Sequence, residues 1–153
     1  MKRRDICGKE RRVSMTTVIR PELSEKNKYW VEKHRYYELK HFCLQYPMWK
    51  KAYLTLDGLS KRPSDFTIYI RTNSKSNPTE RCAIEKSFYS NRIALIERIA
   101  VQADPDLASY IIKGVTEELS YTNLKSRLDI PCSRDTYYDR YRRFFWLLDK
   151  ERE

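Results

Sequence analysis

The chain has 153 residues, enough for one compact domain or for a small domain with an extended arm. Its 3 glycines are too few for a sheet with many tight turns, so the composition favours an all-α protein. Lys and Arg number 31 against 21 Asp and Glu, and the net charge of +10 favours a polyanionic partner such as nucleic acid.

Residues 1–14 supply part of this charge, since they hold six basic and two acidic residues without helical or strand periodicity. We interpret them either as a flexible basic arm or as a mis-called start, because Met15 follows immediately. The four cysteines are widely spaced, with no C-x-x-C pair, and we expect reduced packing residues of a cytosolic protein. His34 and His41 have no neighbouring carboxylate or thiol pair, so we expect neither a metal site nor a cofactor.

The segment 15–56 is predicted to be helical. From Ser24 onwards, apolar side chains in two adjacent rows indicate an amphipathic helix. The rows are Tyr29, Tyr36, Cys43 and Trp30, Tyr37, Leu44, with Leu39 between them. Pro47 fits the first turn of a helix but not its interior, which predicts a break there and a short helix from about residue 48 to residue 56.

Residues 57–78 change in character, with many Pro, Ser and Asn residues around the alternating stretch FTIYI. This composition predicts a linker or an extended crossing segment.

The segment 79–153 is predicted to be a helical domain. Asn77-Pro78-Thr79-Glu80 is a helix start signal, and a helix of about 24 residues follows. Its apolar side chains are Ile84, Phe88, Leu95 and Ile99, with Ile96, Ala100 and Ala103 beside them. Such a long helix is either the spine of one domain or the interface of a homodimer.

A second start signal, Asp104-Pro105-Asp106, predicts a helix to about Lys113 that buries Leu107, Tyr110 and Ile111. Gly114 is predicted to end that helix in a left-handed conformation.

Residues 116–149 have the layout of a helix-turn-helix unit. Ser120 is predicted to cap a short helix, YTNLKSRL, with Leu119 and Leu124 forming a hydrophobic staple. A turn with buried Ile130 follows, and Ser133 is predicted to cap the last helix. The core face of that helix is predicted to contain Tyr137, Tyr141, Phe144 and Leu148, with Phe145 at its margin.

The start of this last helix is the predicted DNA-binding site. Arg134 follows the cap, where an arginine fork enters a major groove and bonds both acceptors of a guanine. Asp135 either accepts from a cytosine amino group or stabilises the positive end of the helix. The candidate DNA-binding residues are Lys125, Arg127, Ser133, Arg134, Asp135, Thr136, Tyr138, Arg140, Arg142 and Arg143. The alternative is a solvated outer face of a terminal amphipathic helix.

The stretch LSYTNLKSRLDIPCSRDTYYDRYRRFFWLL resembles the helix-turn-helix of sigma factor region 4, and more closely phage and prophage transcriptional regulators of the RinA/ArpU type. The matching positions are Ser120, Leu124, Leu128, Ile130, Ser133, Thr136, Tyr137 and Arg140. The resemblance implies a DNA-binding activator of late or packaging genes that works beside host RNA polymerase, with Arg134, Asp135, Thr136 and Arg140 at the promoter-reading positions. Pro131 and Cys132 depart from the family pattern, in which Ile commonly runs directly into Ser.

The sequence thus predicts an all-α, double-stranded DNA-binding transcription regulator in the cytoplasm of a bacterial host, associated with its nucleoid rather than with a membrane. Two other hypotheses stay open: a small-terminase-like DNA-packaging recognition subunit, and a protein-interaction module that inhibits or appropriates a host RNA polymerase or nuclease. We expect no enzymatic activity, because motifs for phosphate binding, zinc hydrolysis or a serine nucleophile are absent from the sequence.

Overall fold

In a computed structural model of the chain, residues 26–56 and 78–152 are described. The regular elements within these ranges are all α-helices, which confirms the predicted all-α class. The helices are α1 (Lys33–Leu44), α2 (Tyr46–Thr55), α3 (Pro78–Ala103), α4 (Ala108–Thr116), α5 (Tyr121–Leu128) and α6 (Arg134–Glu151). The predicted basic arm, the helix start at Ser24 and the FTIYI stretch lie outside the described residues.

The first helix begins later than predicted. Tyr29 and Trp30 precede α1, and Trp30 is 42% exposed, so their assignment to the amphipathic helix is wrong. A local turn competes with the helix here, because Asn27 accepts hydrogen bonds from the N–H groups of both residues, at 3.0 and 3.1 Å. The remainder of the predicted stripe is confirmed, with Leu39 and Cys43 fully buried.

The break at Pro47 is confirmed. Helix α1 ends at Leu44, Gln45 lies between the helices, and Pro47 is in the first turn of α2, where its missing N–H costs nothing. The two helices are held together by Phe42 and Trp49, whose ring centroids lie 4.8 Å apart.

Helix α3 starts at Pro78, as the start signal predicts, and its 26 residues span about 39 Å. It is the spine of the described fold, because α2, α4 and α6 all pack against it. Ile96, Ile99 and Ala100 are fully buried, whereas Ile84 and Phe88, nearer its start, are exposed.

Helix α4 follows the second start signal. The Asp104 carboxylate accepts hydrogen bonds from the N–H groups of Asp106 and Leu107, at 3.0 and 3.2 Å. The predicted helix end at Gly114 is wrong: α4 continues to Thr116, and the left-handed residue is Glu118, with φ 53°. Gly114 instead allows α4 to pack closely against Tyr137, because a Cβ at this position would collide with the Tyr137 hydroxyl.

Helix α6 packs against α1, α3 and α4. Its C-terminal end is fastened by two ion pairs, Arg35 Nε to Asp149 Oδ1 at 2.6 Å and Arg98 Nη2 to Glu151 Oε2 at 2.8 Å. In the core beside it, burial raises the pKa of the Cys43 thiol to about 12, so this thiol stays protonated. Across residues 26–56 and 78–152, no helix combines the length and the apolar character needed to cross a membrane.

Candidate nucleic-acid interface

The unit formed by α5, the turn 129–133 and α6 is built from two helices with side-chain caps. Ser120 Oγ accepts from the N–H of Asn123 at 3.4 Å, and Ser133 Oγ accepts from the N–H of Thr136 at 3.2 Å. Both serines have extended backbones, as capping residues do, so both predicted caps are confirmed. Asp129, with φ 48°, ends α5 in the left-handed region.

The turn between the helices is fixed by hydrogen bonds to its carbonyl groups. Tyr121 Oη donates to the carbonyl of Cys132 at 2.7 Å, and Lys125 Nζ donates to the carbonyl of Ile130 at 3.2 Å. Ile130 is fully buried, as the sequence predicts, while Pro131 is exposed. Pro131 and Cys132 therefore lie in a turn whose backbone is tied to α5.

Helices α5 and α6 are also joined through aromatic side chains. The N–H of Tyr121 donates to Tyr138 Oη at 3.4 Å, and the Tyr121 ring centroid lies 6.0 Å from that of Tyr137. Leu124 is fully buried and Leu119 packs against the core, as the predicted staple requires. The start of α6 is thus oriented by contacts within the unit itself.

The buried face of α6 differs from the prediction at its edge. Tyr137, Phe144 and Leu148 are at most 1% exposed, which confirms them as core. Phe145 is equally buried rather than marginal, because α1 covers it, with the Tyr36 ring centroid at 4.8 Å. Tyr141 is instead only partly buried, although burial of its ring raises the pKa of its hydroxyl well above 10.0.

The N-terminal tip of α6 is clear of this core. Ser133, Arg134, Asp135 and Thr136 are all exposed. Arg134 has no ion pair with any described residue, and its guanidinium carbon lies 5.8 Å from the ring centroid of Tyr138, one turn later. We define these four exposed residues as the α6 tip. It presents a guanidinium, a carboxylate and two hydroxyls, and the Ser133 and Thr136 hydroxyls are hydrogen-bonded to each other at 2.8 Å.

Three of the other candidate residues are engaged within the fold. Arg140 Nε lies 3.0 Å from Asp104 Oδ2, so its charge is paired with the corner between α3 and α4. Tyr138 is partly buried, and its hydroxyl accepts the α5 hydrogen bond described above. Lys125 pairs with Asp129 at 3.0 Å, a hydrogen bond that raises the pKa of the Lys125 amine.

The remaining candidates differ in exposure. Arg127, on α5, is exposed and unpaired among the described residues. Arg142 and Arg143 are partly buried, and the Arg142 Nε is buried without a hydrogen-bond partner in the described part of the chain. Those two arginines lie further along α6 than the α6 tip, so they flank it rather than join it.

The structure adds three polar residues that the sequence reasoning missed. Thr122, Asn123 and Ser126 are exposed on α5, the same helix that carries Arg127. Their signal in the sequence is their position within two residues of the buried Leu124, on either side of it, which leaves them on the outer face of a short helix. Residues 120–152 hold eight basic and five acidic residues, so the whole unit has a positive balance.

The described residues form an all-α fold in which two capped helices, α5 and α6, are joined by a braced turn, and the second of these helices begins in solvent. Comparison with protein-family models, with curated proteins and with solved structures gave no match to this chain.

Proposed function

We propose that the chain is a sequence-specific double-stranded DNA-binding regulator of phage genes, acting beside host RNA polymerase. The observation that carries the proposal is the exposed α6 tip, in which Arg134 has no ion pair among the described residues. The α6 tip begins with the capping residue Ser133 and follows a braced turn, so its backbone is ordered before any ligand arrives. The resemblance of residues 119–148 to phage regulators of the RinA/ArpU type adds the choice of late genes.

In this proposal the α6 tip enters a major groove. The Arg134 fork donates to the two acceptors of a guanine edge, and Thr136 contacts a neighbouring base. Asp135 lies in the first turn of α6, where a carboxylate is stabilised by the helix dipole and also accepts from a cytosine amino group. In this proposal, the contacts to base edges are therefore made by the α6 tip.

Phosphate contacts are assigned to basic residues beside the α6 tip. Arg127 is exposed on α5, and Arg143 is partly exposed further along α6. Such contacts position the protein without reading sequence, and they make affinity fall with salt because counterions are released. Arg140 has a different role in this proposal: paired with Asp104, it positions α6 instead of reading a base.

The test is footprinting on the genomic DNA that flanks the coding region, followed by fluorescence anisotropy on the protected site. Arg134→Ala is expected to cost about 1–3 kcal/mol on that site and to relax the preference at one base pair. Arg127→Ala is expected to weaken binding to all sequences equally and to reduce the salt slope by about 1.

Lys51→Ala is the matched control, because Lys51 is an exposed basic residue on α2, outside the helix-turn-helix unit. It removes one charge and leaves the α6 tip intact. The proposal fails if no site is protected at moderate salt, or if Arg134→Ala changes affinity no more than Lys51→Ala does.

A further inference from the structure

Tyr138 lies between the α6 tip and α5, and its side chain is fixed by contacts with both helices. Its hydroxyl accepts a hydrogen bond from the N–H of Tyr121, the first residue of α5, at 3.4 Å. Its ring meets that of Tyr137 edge-on, with centroids 5.1 Å apart, and its centroid lies 6.2 Å from that of Tyr141. A partly buried ring among these neighbours has little room to change its rotamer, so it forms a rigid surface one turn after the start of α6.

Arg134 lies on the side of α6 that carries this ring. The two residues are four apart in the helix, a spacing that makes their side chains neighbours on one face. The Arg134 guanidinium carbon is 5.8 Å from the Tyr138 ring centroid, within the range at which the face of an aromatic ring attracts a cation. Because Arg134 is exposed and has no ion pair with a described residue, this ring contact favours one orientation of its side chain.

An aromatic ring holds a guanidinium differently from a carboxylate. A carboxylate accepts hydrogen bonds from the guanidinium and so occupies its donors, as Asp104 does for Arg140 at 3.0 Å. The attraction to a ring face acts on the positive charge and leaves the N–H donors available for another acceptor. The ring of Tyr138 therefore orients Arg134 without competing with a ligand for its N–H groups.

We infer that Tyr138 is a positioning residue for Arg134: its ring restricts the guanidinium before DNA binds and stays against it in the complex. The inference rests on the proposed function, in which Arg134 donates to a guanine edge. A flexible arginine loses side-chain entropy when it is fixed on a base, and a restricted one loses less. Tyr138 thus increases the preference for one base pair without touching a base, a role different from the direct DNA contact predicted from the sequence.

The experiment is fluorescence anisotropy on two duplexes at one salt concentration. One duplex is the site protected in footprinting, and the other differs from it at the base pair whose preference Arg134→Ala relaxes. The ratio of the two affinities measures discrimination at that base pair. Tyr138→Leu is expected to lower this ratio about two- to fivefold, the strength of an exposed contact between a cation and a ring. Tyr138→Phe keeps the ring and is expected to keep the ratio.

A third duplex, changed at another base pair of the site, separates positioning from a structural role. A displaced α6 tip would lower discrimination at every base pair that the α6 tip contacts, whereas Tyr138→Leu should lower it only at the base pair of Arg134. In the Arg134→Ala background, Tyr138→Leu should have no further effect on the ratio, because no guanidinium is left to orient.

Tyr89→Leu is the matched control, since Tyr89 is a partly buried tyrosine on α3, outside α5 and α6. It should leave discrimination at both base pairs unchanged. Tyr138→Gln is a second variant without the ring, suited to a partly exposed helical position, and it should repeat the effect of Tyr138→Leu. Circular dichroism of each variant checks that the helices are retained.

The outcomes distinguish this inference from the proposed function. Equal losses in Tyr138→Phe and Tyr138→Leu, a loss at every base pair, or no loss in Tyr138→Leu where Arg134→Ala lowers the ratio would each overturn the inference alone. A ratio that Arg134→Ala does not change, or the absence of any protected site, would overturn the proposed function and the inference with it.

Discussion

The contact between Gly114 on α4 and Tyr137 on α6 leads to a quantitative prediction. A Cβ at position 114 would lie too close to Tyr137 Oη, 3.3 Å from Tyr137 Cζ and 3.7 Å from the carbonyl oxygen of Leu119. Tyr137 is 1% exposed, so its ring cannot withdraw into solvent. Overpacking of this kind costs about 1–3 kcal/mol, while Ala in place of a helical Gly returns about 1 kcal/mol. Gly114→Ala is therefore expected to lower the free energy of unfolding by about 1 kcal/mol.

A second substitution, at Tyr137, tests the same contact between α4 and α6. The Tyr137 hydroxyl oxygen is buried and has no hydrogen-bond partner in the described part of the chain, and burial raises the pKa of the group far above 10.0. Because an unsatisfied buried hydroxyl costs about 1–3 kcal/mol, Tyr137→Phe is expected to stabilise the fold by about 1 kcal/mol. In that background the atom nearest to the new Cβ is gone, so Gly114→Ala should become neutral or stabilising.

The assay is urea unfolding of the wild-type chain, both single variants and the double variant, followed by circular dichroism. The linear extrapolation compares free energies only if the four chains share one slope. The expected coupling between the two positions is about 1–2 kcal/mol. Additivity within about 0.5 kcal/mol would refute the reasoning, since it would mean that the hydroxyl and the missing Cβ do not meet.

Two further predictions concern an ion pair and a buried thiol. A double-mutant cycle of Asp104→Ala and Arg140→Ala, measured by urea unfolding, should give a coupling free energy of up to about 1 kcal/mol, because the ion pair is partly exposed. Asp104→Ala should cost more stability than Arg140→Ala, because two backbone N–H groups also lose their acceptor. Equal losses in the two single variants would contradict this. Unfolding free energy should fall as pH rises from about 9 towards 12, because burial raises the pKa of Cys43 from 9.0 to about 12 and the unfolded chain loses that proton first. Cys43→Ala should show a shallower alkaline decline than the wild type, and an identical slope would show that the thiol does not contribute.

Local signals in the sequence predicted most of the described fold. Ser120 and Ser133 were identifiable as caps, since each is a serine directly before a run with helical periodicity. Pro47 and Pro78 also marked helix starts, because within a helix a proline fits only the first turn. Caps, prolines and periodicity act within one or two turns of chain, and a sequence displays such short-range effects directly.

Contacts between distant residues could not be predicted in this way. Gly114 has the local features of a helix end, but its position is set by Tyr137 on another helix. Likewise, Arg140 lies on the outer half of α6 by periodicity, and only the fold brings Asp104 to within 3.0 Å of it. Of the candidate site, the exposure of Arg134 and Thr136 followed from their place after the cap. The sequence did not show which arginines form ion pairs and which do not, because the pairing depends on contacts between helices.

The separation between the α6 tip and the braces behind it has a consequence for how this protein can diverge. Arg134, Asp135 and Thr136 are exposed, and substitutions at exposed positions usually change stability by no more than about 0.5 kcal/mol. The bonds that hold the turn come from Tyr121 and Lys125, which lie on the other helix. Substitutions at the α6 tip can therefore change the side chains exposed to solvent while α5 and the turn stay unchanged, so a new surface chemistry does not first require a more stable fold.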